Sequence, residues 1–208
     1  MTTKYVPESH TEASDFITPR SQVAHKLMTS ARRLFTINGY TATTVTEITK
    51  DAGTSVGTLY YHFGGKAEVF NALYEDYSQQ QFLRVRRAIR LVKHAGVSDR
   101  RNLFLVGTRT YLSAARAHRD MSRALGEGDA PGGFASVSKE YSQRWERHNS
   151  RLLQINTETA GGSAVIDAIM GAIRSWSRAL ADIDDDDTAN EYIDRIIDIL
   201  ARMIQSDE

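Results

Sequence analysis

Residues 43–66 read TTVTEITKDAGTSVGTLYYHFGGK. Thr44 stands three residues before Glu47, the spacing of a capping box, in which a threonine hydroxyl and a glutamate carboxylate each satisfy a backbone N–H at a helix start. The spacing therefore predicts a helix over 45–51, with Val45, Ile48 and Ala52 facing inward. Ala52-Gly53-Thr54-Ser55 is a tight turn containing glycine, and a second helix is expected from Ser55 or Val56 to about Phe63, ended by Gly64-Gly65. Two short helices around such a turn make a helix-turn-helix. The positions expected to face outward on the second helix carry Ser55, Gly57, Thr58, Tyr61 and His62. These are small or hydrogen-bonding residues, not the Glu/Lys mixture of a solvated face. Small residues admit close approach of a nucleic-acid backbone, and hydroxyls with helix-start N–H groups bond phosphates. Leu59 and Phe63 are expected in the core, and periodicity alone would bury Tyr60 as well.

Working outward, Ala24, Leu27, Ala31, Leu34 and Phe35 recur at helical spacing and predict a first helix over 21–38, capped by Ser21 and closed by Gly39. Downstream of Lys66, Val69, Phe70, Leu73, Tyr77, Val85, Ile89 and Val92 predict one long helix, interrupted at Ala95-Gly96, with Ser98 as the next cap. Further helices are expected over 99–117, 120–125, 134–156, 163–180 and 189–205. Between them lie a Gly-rich loop over 126–133, a break at Gly161-Gly162 and an acidic loop at 184–187. No alternating strand pattern and no internal repeat occurs. The expected fold is all-α: a three-helix DNA-binding domain over 20–66 behind a flexible arm over 1–19, then a larger helical domain over 67–208.

Three phrases carry a resemblance to a known family: ARRLFTINGY (31–40), TATTVTEIT (41–49) and AGTSVGTLYYHFGGKAEVF (52–70). Together they resemble the TetR family of bacterial transcriptional regulators. The resemblance covers about residues 21–77; beyond that the likeness is one of helix number and length. It implies that 56–62 is a recognition helix lying in the major groove. Val56, Gly57 and Tyr60 would look at base edges, and Thr44, Thr46, Thr58, Tyr61 and His62 at phosphates. Lys66 would anchor the flanking backbone. Val56 departs from the polar residue often found there; it suits a thymine methyl and not a bidentate base contact. The resemblance further implies a ligand-responsive repressor that binds palindromic operator DNA as a homodimer through its last two helices and is released by a small-molecule effector. Tyr111, Trp145 and His148 are the expected effector contacts. The alternative is a helical protein–protein interaction module without sequence-specific DNA binding.

Composition narrows the choice. The chain has 208 residues, 41% of them hydrophobic, with no cysteine and only three prolines. That is enough for a real core without disulfide or metal staples, and the lack of thiols suits a reducing cytoplasm. Net charge is zero, but unevenly distributed. Residues 20–68 hold six basic and three acidic side chains, whereas the stretch from 181 onward holds two basic and ten acidic. A basic front with an acidic rear suits DNA binding by the front. No nucleophile elbow, phosphate-binding loop or dinucleotide fingerprint is present. The six histidines are not at metal-ligand spacing, and no apolar stretch reaches membrane-spanning length. No enzyme activity, metal or cofactor is expected.

Overall fold

The structure, a computed structural model, describes residues 19–125 and 128–204. The expected arm lies outside the described residues save Pro19, which opens the first helix, and the expected cap at Ser21 falls on a side chain outside them. Nine helices follow in order among the described residues, and no strand. They are α1 (Pro19–Ala42), α2 (Val45–Asp51), α3 (Val56–His62), α4 (Lys66–His94), α5 (Arg100–Ala117), α6 (Arg119–Ala124), α7 (Phe134–Leu153), α8 (Ala160–Asp182) and α9 (Asp186–Met203).

Two compact units emerge. The first joins residues up to Tyr77 with 123–137; the second joins 78–122 with 138–208. The long helix α4 thus contributes its first part to one unit and its remainder to the other.

In the first unit, α1 runs as two helical pieces across Gly39, whose φ of 80° is a left-handed conformation that favours glycine. A side chain at Gly39 would also strike the Asp129 carboxylate. The core holds Leu27, Ala31, Phe35, Ile48, Leu59, Val69 and Phe70. Phe70 is its hub: its ring lies 5.6 Å from Phe35, 5.1 Å from Tyr40 and 5.1 Å from Phe134. Residues 128–133, part of the expected irregular loop, and the first residues of α7 fold back onto this unit. Asp129 accepts from the backbone N–H of Thr41 at 3.0 Å and from its hydroxyl, and Phe134 stacks edge-on against Tyr74 at 4.8 Å.

In the second unit, Phe104 and Leu112 of α5 pack with Ile169, Ile173 and Leu180 of α8 and with Ile193, Ile196 and Leu200 of α9. The buried Arg116 fixes the connection between α8 and α9. Its guanidinium donates to the carbonyls of Ile183 and Asp184 and to the Asp186 carboxylate at 2.7 Å.

Three local expectations are corrected. Gly161 and Gly162 lie in the first turn of α8, capped by Thr159, whose hydroxyl accepts from the Gly162 N–H. The break comes earlier, after Leu153, where Gln154 adopts a φ of 57°. Asp186 and Asp187 are the first turn of α9, and Asp185 is its cap; carboxylates are favoured there by the helix dipole. Asp99, not Ser98, caps α5 by accepting from the Asn102 N–H.

Candidate nucleic-acid interface

Local chemistry fixes α2 and α3. Thr44 and Glu47 form the full reciprocal box: the Thr44 hydroxyl accepts from the Glu47 N–H at 3.2 Å, and the Glu47 carboxylate accepts from the Thr44 N–H at 2.8 Å. Those Thr44 hydrogen bonds, from hydroxyl and backbone, hold the Glu47 carboxyl below its ordinary pKa. Gly53 makes the turn at φ 65°. Ser55 caps α3 by accepting from the Thr58 N–H at 3.2 Å, and the Ser55 and Thr58 hydroxyls pair at 2.8 Å. On the far side of α2, the Arg33 guanidinium donates to Asp51, a bond that lowers the Asp51 pKa.

With its ends capped, α3 has seven residues and one inward stripe. Leu59, His62 and Phe63, at i, i+3 and i+4, fill it. His62 therefore does not stand on the outer face as read from the sequence. It is 8% exposed and edge-on to Tyr61, with ring centroids 5.3 Å apart. Tyr60, which periodicity would have buried, is 50% exposed, beside Tyr61 at 63% and Val56 at 41%. Gly57 is also outward, and a Cβ there would meet nothing nearer than the Ser55 hydroxyl at 3.8 Å. No packing reason excludes a side chain at Gly57, so its bareness leaves the backbone of the outer face open. Thr46 is exposed on α2.

Lys66, expected to anchor the flanking DNA backbone, has partners within the protein. Its ammonium donates to the carbonyls of Tyr40 at 2.8 Å and Thr43 at 2.7 Å, and sits 4.2 Å from the centre of the Tyr40 ring. It thus pins the junction between α1 and α2. Burial, followed by the Glu68 and Asp129 charges, raises the Tyr40 pKa. The Asp129 carboxyl is lowered chiefly by its bond from the Thr41 hydroxyl. Sequence reading missed both Asp129 and Thr41. Nothing periodic marks them, and their contact spans 88 residues.

The expected effector residues come together in the second unit. Tyr111 lies 5.5 Å from Trp145, Phe82 lies 5.1 Å from Trp145, and Phe82 lies 5.2 Å from His148, all edge-on. Arg144 covers Phe82 at 4.1 Å and donates to Gln79 at 2.6 Å. The buried Nε2 of His148 has no hydrogen-bond partner among the described residues. Its pKa is pushed down, first by burial and then by Arg86, Arg144 and Lys93. No group of metal-ligating side chains occurs among the described residues, and no described helix is long and apolar enough to cross a membrane.

Comparison with known proteins reaches the same segment. The family model for bacterial regulatory proteins of the tetR family matches residues 27–73. Over 45 residues the chain is 44% identical to the HTH-type transcriptional regulator LmrA of Bacillus subtilis and 49% identical to the HTH-type transcriptional regulator QacR of Staphylococcus aureus. These alignments cover 21% and 22% of this chain and about a quarter (24%) of each relative. Solved structures match nearly end to end. The fatty acid degradation regulator FadR from Bacillus halodurans superposes with a TM-score of 0.69 over 93% of this chain and 98% of its own, at 14% identity. A bacterial regulatory protein of the tetR family from Rhodococcus RHA1 does so with a TM-score of 0.67 over 89% and 98%, at 18% identity. At such identities the likeness is one of fold.

Proposed function

We propose that this chain, a member of the tetR family through its helix-turn-helix, is a ligand-responsive transcriptional repressor that acts in the cytoplasm as a homodimer on palindromic operator DNA. The supporting observation is the outer face of α3, where Val56, Gly57, Tyr60 and Tyr61 stand exposed on a helix whose ends are already capped. In this reading α3 enters the major groove. Val56, Gly57 and Tyr60 meet base edges, with the Val56 methyls suited to a thymine methyl. Thr44, Thr46, Ser55, Thr58 and Tyr61 meet phosphates. His62 supports Tyr61 from beneath, and Lys66 holds the α1–α2 junction from which Thr44 projects.

Residues 20–66 form the DNA-binding domain and 67–208 carry effector binding and dimerisation. Dimers double the readout of one short helix. Support for an interface on α8 and α9 comes from their outward residues: Val165, Ala168 and Ala179 on α8, and Ile199 and Met203 on α9, are all exposed. An effector held at Tyr111, Trp145 and His148 would favour a dimer whose recognition helices no longer match successive major grooves, which requires tighter binding to that state.

The test is fluorescence anisotropy on duplex fragments from the DNA upstream of the chain's own coding sequence. Log affinity is expected to fall linearly with log salt, by about 0.9 for each phosphate neutralised. Absence of salt-sensitive attachment to any duplex would refute the reading.

A further inference from the structure

The second unit carries a cleft of about 640 Å³ where the end of α4, the turn after it, the start of α5 and the end of α7 meet. That size lies within the range of small-molecule sites, about 300–1,000 Å³. Its chemistry is sharply divided. The half-buried Val97 and Leu152 supply apolar surface, backed by Leu103, which is almost fully buried. Lys93, Arg100 and Arg151 supply three exposed cations, and Ser98 a hydroxyl. No acidic side chain lines the cleft. The nearby Asp99 carboxylate is engaged in capping α5.

None of the three cations has a salt bridge or hydrogen bond to a partner among the described residues. Other cationic side chains of the same unit are engaged within the fold: Arg109 is paired with Asp194 and Arg116 with Asp186, and Arg101 donates to the Ala201 carbonyl. Arg100 also occupies the first turn of its helix, where positive charge is disfavoured by the dipole. Three like charges around one apolar cleft repel one another unless an anion joins them, and guanidinium groups bind carboxylates through two parallel hydrogen bonds.

We propose that this cleft binds an organic anion with an apolar body: a hydrocarbon chain lying on Val97, Leu103 and Leu152 and ending in a carboxylate held by Arg100, Arg151 and Lys93. The assignment does not depend on DNA binding, and its test uses the protein without DNA, so the two readings fail separately.

The probe is decanoate, titrated below its micelle concentration by calorimetry into the full chain, with 1-decanol and inorganic phosphate as parallel arms. Decanoate is expected to saturate one site per protomer. Decanol should bind at least fivefold more weakly, and phosphate at least tenfold more weakly. The double variant Arg100→Ser/Arg151→Ser should weaken decanoate at least tenfold while leaving decanol unchanged. Both arginines are exposed and unpaired, so the variant should fold; circular dichroism checks it. As a second readout on the unaltered protein, decanoate should protect the Lys93 amine from reductive methylation, read by mass spectrometry, while leaving the exposed Lys50 reactive. Equal binding of decanoate and decanol would overturn the proposal, because it would mean unspecific apolar adsorption. Binding by phosphate as tight as by decanoate would overturn it too, as would decanoate binding with Lys93 unprotected.

Discussion

Tyr60 and Tyr61 on α3, and Phe82, Tyr111, Trp145 and His148 in the second unit, are both aromatic groups on helices, yet they are treated in opposite ways. On α3 the two tyrosines are left outside. In the second unit the rings close on one another edge to face. Helix length accounts for much of the difference. A two-turn helix has one inward stripe, already taken by Leu59, His62 and Phe63, so any further ring must face solvent or a partner. The rings of the second unit come from three longer helices, α4, α5 and α7, of 29, 18 and 20 residues. Exposed rings on a capped helix are open to a partner without rearrangement, whereas mutually packed rings must be moved apart before anything can enter. The first arrangement suits binding without rearrangement and the second suits a response to a ligand.

The largest expected effect lies in the core beneath α3. Phe70 is fully buried against three aromatic rings, so Phe70→Ala should destabilise the first unit by about 3–5 kcal/mol. Urea unfolding should show it directly, with duplex binding lost in parallel. An unchanged midpoint would mean that the ring cluster does not hold the α3 platform.

Next in size is Lys66→Met, which removes a charged donor from three carbonyls and a ring. It should cost about 1–3 kcal/mol in the same unfolding measurement and leave the salt slope of duplex binding unchanged. A slope flattened by about 0.9 per lysine would instead show that Lys66 reaches a phosphate as well as the α1–α2 junction.

How much of this was legible in the chain depends on the range of the interaction. The boundaries of α2 and α3 were readable because the Thr44–Glu47 box, the Gly53 turn and the Ser55 cap act over three or four residues. Longer apolar periodicity likewise predicts the bodies of α4, α5, α7, α8 and α9, although not all of their ends. His62 was misplaced because seven residues give too little period to separate its face from that of Tyr61. Gly161-Gly162 looked like a break because a glycine pair usually is one, whereas the Thr159 cap places it in a first turn. The fold-back of 128–137 through Asp129 and Phe134 was unreadable, since it depends on partners far away in sequence. The aromatic residues named for the effector do meet, but only the structure shows that Phe82 belongs with them and that Lys93, Arg100 and Arg151 share a cleft.

A third test concerns the outward rings alone. Tyr61→Ala removes a side chain that is mostly solvent-exposed, so urea unfolding should change little. Duplex affinity should fall about tenfold, the equivalent of about 1.4 kcal/mol. A stability loss larger than the affinity loss would erase the distinction between partner-facing and packed aromatics.

The smallest effect belongs to His148 on the packed side. Its pKa in the folded chain lies below the ordinary 6.5, because burial and the charges of Arg86, Arg144 and Lys93 all oppose protonation. The unfolded chain therefore takes up this proton more readily than the folded one. The neutral form's contribution to stability is complete above the unfolded pKa and is lost as pH falls through 6.5 toward the folded value. Thermal melts should thus show a modest decline below neutrality that is shallower in His148→Gln, which cannot titrate. If the variant and the unaltered chain decline in parallel, His148 is solvated in the folded state. The packed cluster would then be open to water, and the contrast with α3 would lose its second half.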